Sequence, residues 1–420
     1  MNSKHSISNS NLSNQSSVEQ SDFHFTDTNG CEVKVYSSID QIEPFEWEKC
    51  IDVNHFFLSV KYLKIVEESS LPGLQLRYAV IRYESEIKAV LYFQVINLSD
   101  TGLGGILNLE EYGGLASSLS SRINDLLFSP GGDKTSYLLV CGNLLVSGDH
   151  GIAARDNESF AKAVQCISAI KKLIGQSLGS KARLVAFMVK DFYENENTIA
   201  GSILKKEYFL LNTDPEMIFD VRPEWKSFSD YLASLSSKYR IRANNVAAKL
   251  GPVIIRELTE NEIISNEKEL YLLNDYVIKK APVKLIRPSS GYFVNLKKRF
   301  GEYYKIKGFF LGDKMIAFTS AMWNNKHFEA HYIGLDYEFN SEYNLYQNIL
   351  YSYINDAIVC GSEQLFFGRT ALEIKSTVGA KPVPLYCYFR FANRVINTLA
   401  RPLVSSTGPR NWIPRDPFRK

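Results

Sequence analysis

The segment YYKIKGFFLGDKMIAFTSAMWNNKHFEAHYIGLD, residues 303–336, predicts three consecutive β-strands. Its apolar runs are separated by the triplets GDK (312–314) and NNK (324–326). Gly, Asn and Asp tolerate the positive φ angles of tight turns, so both triplets favour hairpin connections. We therefore expect an antiparallel meander in the second half of the chain.

A helical pattern and then another strand follow the meander. EYNLYQNILYSYINDAIVCG (342–361) has Leu345 and Ile349 on one face, and Ser341 is the expected N-terminal cap. LFFGRTALEIKSTVGAKP (365–382) begins with an apolar run that predicts a strand. Several charged side chains follow that strand directly.

The first half repeats this order of elements. LQLRYAVIRYESEIKAVLYFQVINL (74–98) predicts a hairpin, SFAKAVQCISAIKKLIGQSLG (159–179) a helix and ARLVAFMVKDF (182–192) a strand. NTDPEMIFDVRPEW (212–225) is expected to link the halves, and SFSDYLASLSSKYRIRANNVAAKLG (227–251) to form one helix. The similar order indicates two domains of related architecture.

Length supports the same division. The chain has 420 residues, more than one hydrophobic core usually serves, and 45% of them are hydrophobic. We predict a disordered Ser/Asn-rich tail (1–22), an N-terminal domain (23–212), a C-terminal domain (213–400) and a Pro/Arg-rich arm (401–420). The expected fold class is α+β, with a mixed, mostly antiparallel sheet in each domain.

Composition excludes several classes of partner. Lys and Arg number 48 against 46 Asp and Glu, so no overall positive field predicts DNA binding. No apolar run approaches the roughly 18 residues of a membrane span. The six cysteines are dispersed without CxxC spacing, which favours reduced thiols in the cytoplasm and predicts no metal site.

Polar residues in the last strand of the meander are candidates for acid–base chemistry. Strand alternation puts His327, Glu329 and His331 on one face and Tyr332 on the other. Glu329 and His331 are therefore candidate proton acceptors. The alternative is a solvent-facing side of an antiparallel strand, which is polar in any case.

A basic stripe on the predicted helix 227–251 is a candidate binding surface. The helix carries Lys238, Arg240, Arg242 and Lys249, of which Lys238, Arg242 and Lys249 are spaced to share one stripe. Such a stripe can hold an anionic substrate, such as a nucleotide-linked precursor or a tRNA backbone, and Arg240 and Arg242 are the expected contacts to an anionic acceptor. A solvated helix face is the alternative explanation.

Three segments together resemble one protein family. The family is the FemAB-like and BioF2-like branch of the Gcn5-related N-acetyltransferase (GNAT) superfamily, and the similar segments are LSSKYRIRANNVAAKLG (235–251), AHYIGLDYEFNSEYNLYQNILY (330–351) and GRTALEIKSTVGAKP (368–382). The resemblance covers roughly residues 30–400 and implies two GNAT-like domains in tandem. It also implies a role in peptidoglycan biosynthesis or recognition.

The resemblance also implies site residues. Lys375 matches the lysine that lies in the transfer site of FemAB-like enzymes, where it can stabilise an oxyanion or hold a substrate carboxylate or phosphate. Arg369, Glu373 and Tyr332 are then candidate substrate contacts, beside the basic stripe.

One segment departs from the family pattern. Acetyl-CoA users place a basic, glycine-rich loop before a helix N-terminus, and its amides bind pyrophosphate. This chain has GLDYEFNSEYN (334–344) there, with Asp336 and Glu338. The donor, acyl-CoA or aminoacyl-tRNA, stays open; the acidic segment favours aminoacyl-tRNA, and no permanently bound cofactor is expected.

Two functions are consistent with these patterns. The first is an enzyme that moves an acyl or aminoacyl group to an amine of a cell-envelope precursor or small metabolite. The second is a non-catalytic module that keeps the fold and binds a glycan or peptide precursor. The acidic segment at 334–344 is the feature that favours the second.

Overall fold

The computed structural model describes residues 23–26, 31–52, 55–69, 71–98, 134–148, 151–280, 286–324, 326–405 and 412–419. The predicted tail, residues 1–22, lies outside them. No helix within these ranges is both long and apolar enough to cross a membrane.

The strands are β1 (Phe23–Thr26), β2 (Cys31–Tyr36), β3 (Leu74–Tyr83), β4 (Glu86–Asn97), β5 (Thr135–Cys141), β6 (Ile152–Ala154), β7 (Ala182–Phe192), β8 (Phe209–Leu211), β9 (Glu216–Asp220), β10 (Val253–Glu257), β11 (Tyr304–Leu311), β12 (Lys314–Trp323), β13 (His327–Leu335), β14 (Gln364–Phe366), β15 (Lys381–Val383) and β16 (Tyr386–Phe391).

The helices are α1 (Pro44–Glu48), α2 (Val60–Glu68), α3 (Asn157–Ser177), α4 (Glu194–Leu204), α5 (Phe228–Ser234), α6 (Ser237–Ala248), α7 (Glu260–Ser265), α8 (Glu267–Lys280), α9 (Tyr292–Phe300), α10 (Tyr337–Tyr343), α11 (Leu345–Val359), α12 (Leu372–Ser376) and α13 (Arg394–Ser405).

The described strands form two sheets. The first has the order β1-β2-β3-β4-β5-β7-β16-β8, with β6 beside β4, and the second has the order β10-β11-β12-β13-β14-β9-β15. Only β5 with β7 and β13 with β14 pair in parallel among the described strands. Both sheets are therefore mixed and mostly antiparallel, as predicted.

One strand crosses from the second half of the chain to the first sheet. β9, the first strand of the second half, pairs with β14 and β15 of the second sheet. β16, near the end of the chain, pairs with β7 and β8 of the first sheet. The expectation of a linker at 212–225 was therefore wrong for residues 216–220, which form a strand, while the predicted domain limits stay a prediction.

The meander is confirmed, with one irregularity that changes which residues share a face. β11, β12 and β13 pair in sequence, but Ser320 pairs with Tyr332 while Ala321 pairs with Ala330. His331 is thus the extra residue of a β-bulge, which reverses the alternation beyond it. The prediction that Tyr332 faces away from His331 was wrong, because both side chains now pack toward the first half of the chain.

The expected helix at 227–251 is two helices. Leu235 and Ser236 have extended ψ angles of 146° and 155°, which end α5 before α6 begins. The C-terminal segment 412–419 stabilises this break, because the Ser236 amide donates to the carbonyl of Pro417 at 2.9 Å and Leu235 forms a bridge with Phe418.

The helix after the meander begins later than expected. Asn344, in the left-handed region with φ 47°, separates α10 from α11, so Ser341 lies inside α10 and is not the cap. The side chain of Asn340 accepts from the Tyr346 amide at 3.0 Å and fixes the junction. Asn adopts this backbone region more readily than most residues.

One hydrophobic core joins the two halves. Helix α2 of the first half and helix α9 of the second pack into the same cluster of buried side chains. At its centre the hydroxyl groups of Tyr62 and Tyr292 lie 2.8 Å apart. The pairing of β16 with the first sheet and this shared core hold the two sheets against each other.

Candidate functional site

A buried carboxyl group lies where the two sheets meet. Glu216, the first residue of β9, is only 2% exposed, and its Oε2 accepts a hydrogen bond from the hydroxyl of Tyr193 at 2.5 Å. Tyr193 directly follows β7 of the first sheet. The contact therefore joins the two sheets through a charged group, and burial raises the pKa of Glu216.

Glu329 of β13 is the second carboxyl group of this site. Its pKa is raised well above the ordinary value, first because it is desolvated and second because of the charge of Glu216. Two carboxyl groups in this relation resist simultaneous ionisation, which favours the retention of a proton by the pair. Glu329 was a candidate in the sequence, whereas Glu216 was missed.

The missed carboxyl group had a signal in the sequence. Residues 217–219 are an apolar run, Met-Ile-Phe, flanked by charged residues, which is the pattern of a short buried strand. Its position between two halves of similar architecture favoured a linker instead. The pairing of β9 with β14 and β15, more than 140 positions later in the chain, has no local signature.

Lys375 of α12 interacts electrostatically with Glu216, one member of this carboxyl pair. Its Nζ donates to the carbonyl oxygens of Phe367 at 2.7 Å and Gly368 at 3.1 Å, and the side chain is buried. Burial lowers the pKa of Lys375 to about 7, although the charges of Glu216 and Asp214 oppose the shift. A lysine in this state exchanges a proton near neutral pH.

A turn with unusual backbone angles holds Lys375 in this position. Gly368 has φ 69°, and Ala371, immediately before α12, has φ 55°. The positive φ at Ala371 is uncommon for a residue with a side chain. The turn directs α12 back beneath β14, so that the lysine reaches the carbonyl groups at the end of that strand.

A buried ion-pair group adjoins the carboxyl pair. Asp191 is fully buried and pairs with Arg369 and, at 2.5 Å, with Lys190, while the thiol of Cys387 donates to it at 2.9 Å. Burial by itself would raise the pKa of Asp191, but the charges of Arg369 and Lys190 hold it below its usual value. Asp191 and Arg369 are 178 positions apart in the chain.

Lys190 of β7 is bonded to the segment that follows β5 in the first sheet. Its Nζ donates to the carbonyl oxygens of Asn143 at 2.8 Å and Val146 at 3.0 Å. A Cβ on Gly142 would meet the Lys190 side chain at 2.4 Å, so the chain here fits around the lysine. Both sheets thus have a buried lysine bonded to carbonyl groups beside their parallel strand pair.

His331 and Tyr332 lie elsewhere, in the apolar contact between the halves. The His331 ring stacks on Phe57, and its Nε2 lies 3.1 Å from the Tyr292 hydroxyl. Burial lowers the pKa of His331 to about 3, which makes it a weak base. The Tyr332 hydroxyl donates to the Leu145 carbonyl at 2.8 Å and links the two halves.

The remaining residues that the sequence predicted as substrate contacts lie in different parts of the structure. Arg369 belongs to the buried ion-pair group, whereas Glu373, Lys238 and Arg242 line one cavity on the outer side of α12. Arg240 is half-buried and is not part of that lining.

The acidic segment 334–344 is largely helical. The Asp336 side chain caps α10 by accepting from the Glu338 amide at 3.1 Å, and it pairs with Lys314 at 3.0 Å. At the start of α11 the Tyr346 amide is already bonded to Asn340. Within the described chain, no group of three or more His, Cys, Asp or Glu residues has a metal-binding arrangement.

Solved structures reveal what the fold is similar to. FemX matches with a TM-score of 0.52 and 12% identity, over 86% of this chain and 98% of that one. The chain has the fold of FemX. This confirms the expected fold, and at 12% identity it establishes the fold alone.

Two further structures match less well. A conserved protein of unknown function from Bacteroides thetaiotaomicron has a TM-score of 0.47 and 12% identity, over 84% of this chain and 98% of that one. A tandem GNAT protein from the clavulanic acid biosynthesis pathway has a TM-score of 0.42 and 9% identity, over 86% and 99%. No protein-family model and no curated protein matches the sequence.

Proposed function

We propose that this chain transfers an activated acyl or aminoacyl group to an amine. The observation that carries the proposal is the electrostatic interaction of Glu216 with both Glu329 and Lys375. Burial has shifted the pKa of each toward neutral, which is how enzymes prepare groups for proton transfer.

In this proposal the carboxyl pair transfers protons and the lysine stabilises negative charge. The acceptor amine attacks the carbonyl carbon of the donor, forms the C–N bond and loses a proton to the ionised member of the Glu216–Glu329 pair. Protonated Lys375 stabilises the negative charge on the carbonyl oxygen. The bond to the leaving oxygen or sulfur then breaks, and that atom takes the proton from the carboxyl pair.

An aminoacyl ester is the donor that we favour, with a cell-envelope precursor or small metabolite as acceptor. At the position where the family's acetyl-CoA users bind pyrophosphate, this chain has helix α10, and Asp336 and Asn340 already accept from the nearby amides. None of the six cysteines, all of them among the described residues, is in a disulfide, which supports action in the cytoplasm.

A binding module without catalysis is the second candidate. The observation in its favour is that Lys375 already donates to two backbone carbonyls and is almost fully buried. In that case the lysine is a structural group, and the chain binds a precursor without turnover.

Three variants separate these functions. Transfer is measured with panels of acyl-CoA and aminoacyl-tRNA donors and of amine acceptors, for wild type, Glu216→Gln, Glu329→Gln and Lys375→Met. Each change should lower kcat about 100-fold or more with little change in KM. Exposed Glu302→Gln is the matched control and should keep wild-type kcat.

The pH profile adds a second readout. Wild-type kcat should fall above about pH 7, because Lys375 loses its proton there, and this alkaline limb should be absent in the residual activity of Lys375→Met. Substrate binding without turnover in the wild type, with Lys375→Met changing affinity only, would instead establish the binding module.

A further inference from the structure

A cavity of about 490 Å³ lies on the outer side of α12, opposite the face that carries the Lys375 side chain. Helix α6, helix α12 and the C-terminal segment 412–419 enclose it. Its lining includes Lys238, Tyr239, Arg242, Glu373, Ile374 and Arg415.

The lining has an excess of positive charge. Three cations, Lys238, Arg242 and Arg415, face one carboxylate, Glu373, which leaves two positive charges. Glu373 is bonded to Arg415, whose Nη2 and Nε lie 2.6 and 3.1 Å from Oε1. No ion pair is found for Lys238 or Arg242 with any described residue, so both remain available to an anion.

Two of the cations are already oriented. The side-chain oxygen of Gln347, in the amide orientation that satisfies both groups, accepts from Nη2 of Arg242 at 2.8 Å and from Nε at 3.3 Å. The Arg415 backbone amide donates to the Ser376 hydroxyl at 3.0 Å, which fixes the C-terminal segment against α12. Oriented guanidinium groups are well suited to phosphate oxygens.

The cavity also has an apolar, aromatic side. Tyr239 is half-buried with its body against the core of the second half, and Ile374 lies in the same lining. An aromatic ring beside several cations is a combination that suits a flat base attached to phosphate groups. A ligand with phosphate alone would leave this side unused.

We propose that this cavity binds a nucleoside diphosphate unit. Its phosphates lie among Lys238, Arg242 and Arg415, and its base lies against Tyr239 and Ile374. The site is on the opposite side of α12 from the carboxyl pair and does not depend on the transfer chemistry proposed above.

Calorimetry with ADP, pyrophosphate and adenosine tests the proposal. ADP should bind most tightly, and its affinity should fall as salt rises, because phosphate contacts are screened. In the double variant Lys238→Gln/Arg242→Gln the affinity for ADP should fall about tenfold or more. Lys249→Gln, an exposed change just beyond the same helix, is the matched control and should bind as wild type does.

The aromatic side has its own test. Tyr239→Leu should weaken ADP binding about five- to tenfold and leave pyrophosphate binding unchanged, whereas Tyr239→Phe should bind ADP normally. Competition with coenzyme A and with a short RNA ending in CCA shows which source of nucleotide the site accepts. Displacement of ADP by either one supports a nucleotide site.

Either of two results would overturn the proposal. One is the absence of ADP binding at millimolar concentration, and the other is an equal loss of ADP affinity in Lys249→Gln and in the double variant. Glu216→Gln should leave ADP affinity unchanged, so retained transfer in this variant together with retained ADP binding would count against the transferase alone.

Discussion

At the scale of single residues, this protein buries charges and compensates each by a specific partner. Glu216 is bonded to Tyr193, Asp191 is paired with Lys190 and Arg369, and Lys375 donates to two carbonyl oxygens. Glu329 differs, because its strongest electrostatic neighbour is another carboxyl group. Its ionisation is therefore the one that folding opposes most directly.

Glu329→Gln should stabilise the protein at high pH. The pKa of Glu329 is raised above the roughly 4.3 of an unfolded chain, so the folded state binds the proton more tightly. That contribution is present at acid pH and is lost as pH rises through the unfolded and then the folded pKa. The variant should exceed wild type on the order of 1 kcal/mol at pH 8 and match it near pH 4.

Thermal unfolding between pH 4 and pH 8 measures this difference. Glu302→Gln, an exposed change, should follow the wild-type curve throughout. If the difference in stability between Glu329→Gln and wild type did not change with pH, folding would not raise the pKa of this carboxyl group.

At the scale of elements, the C-terminal segment 412–419 packs against the hydrophobic core of the second half through Trp412 and Phe418. Phe418 packs against Trp225 and Tyr231 and bridges to Leu235 at the break between α5 and α6. Gly379 has no side chain where Phe418 lies, since a Cβ there would meet the ring at 2.5 Å. A segment distant in sequence therefore determines where one helix ends and the next begins.

Phe418→Ala should destabilise the protein by about 2 to 3 kcal/mol, below the usual range for a fully buried phenylalanine because this ring is partly exposed. Urea unfolding measures the loss, and limited proteolysis should detect earlier cleavage after residue 405. Ile413→Ala, at a side chain that is 61% exposed, should cost less than about 0.5 kcal/mol. Equal losses in both variants would contradict a specific anchor at Phe418.

At the scale of the whole molecule, the first sheet depends on the second half of the chain. It takes β16 from the end of the chain, whereas the strands of the second sheet, β9 to β15, all lie within residues 216–383. The shared core around Tyr62 and Tyr292 adds a large apolar contact. The two halves are therefore expected to unfold together.

A fragment of residues 23–212 should not fold by itself. It lacks β16, so β7 and β8 would have no strand between them, and α2 would expose its contact with α9. Circular dichroism and NMR of the fragment should reveal a disordered or aggregating chain, while calorimetry of the full chain should reveal one transition. Well-dispersed amide signals from the fragment would contradict the interdependence.

The sequence determined the local elements of this protein. The hairpin of β3 and β4 turns at Glu84 and Ser85, both with positive φ, and β7 covers residues 182–192 as its apolar pattern predicts. These elements depend on periodicity and turn residues close together in the chain. Lys375 and Glu329 could also be named as candidates, from a family resemblance and from strand alternation.

Only the tertiary structure decided which strands belong to which sheet, where helix 227–251 breaks and which charges meet. β9 becomes a strand because β14 and β15 lie on either side of it, and Glu216 is buried as a result. The bulge at His331 and the pKa shifts have the same origin. They depend on pairing and desolvation between residues far apart in the chain, and such contacts leave no periodic pattern in the sequence.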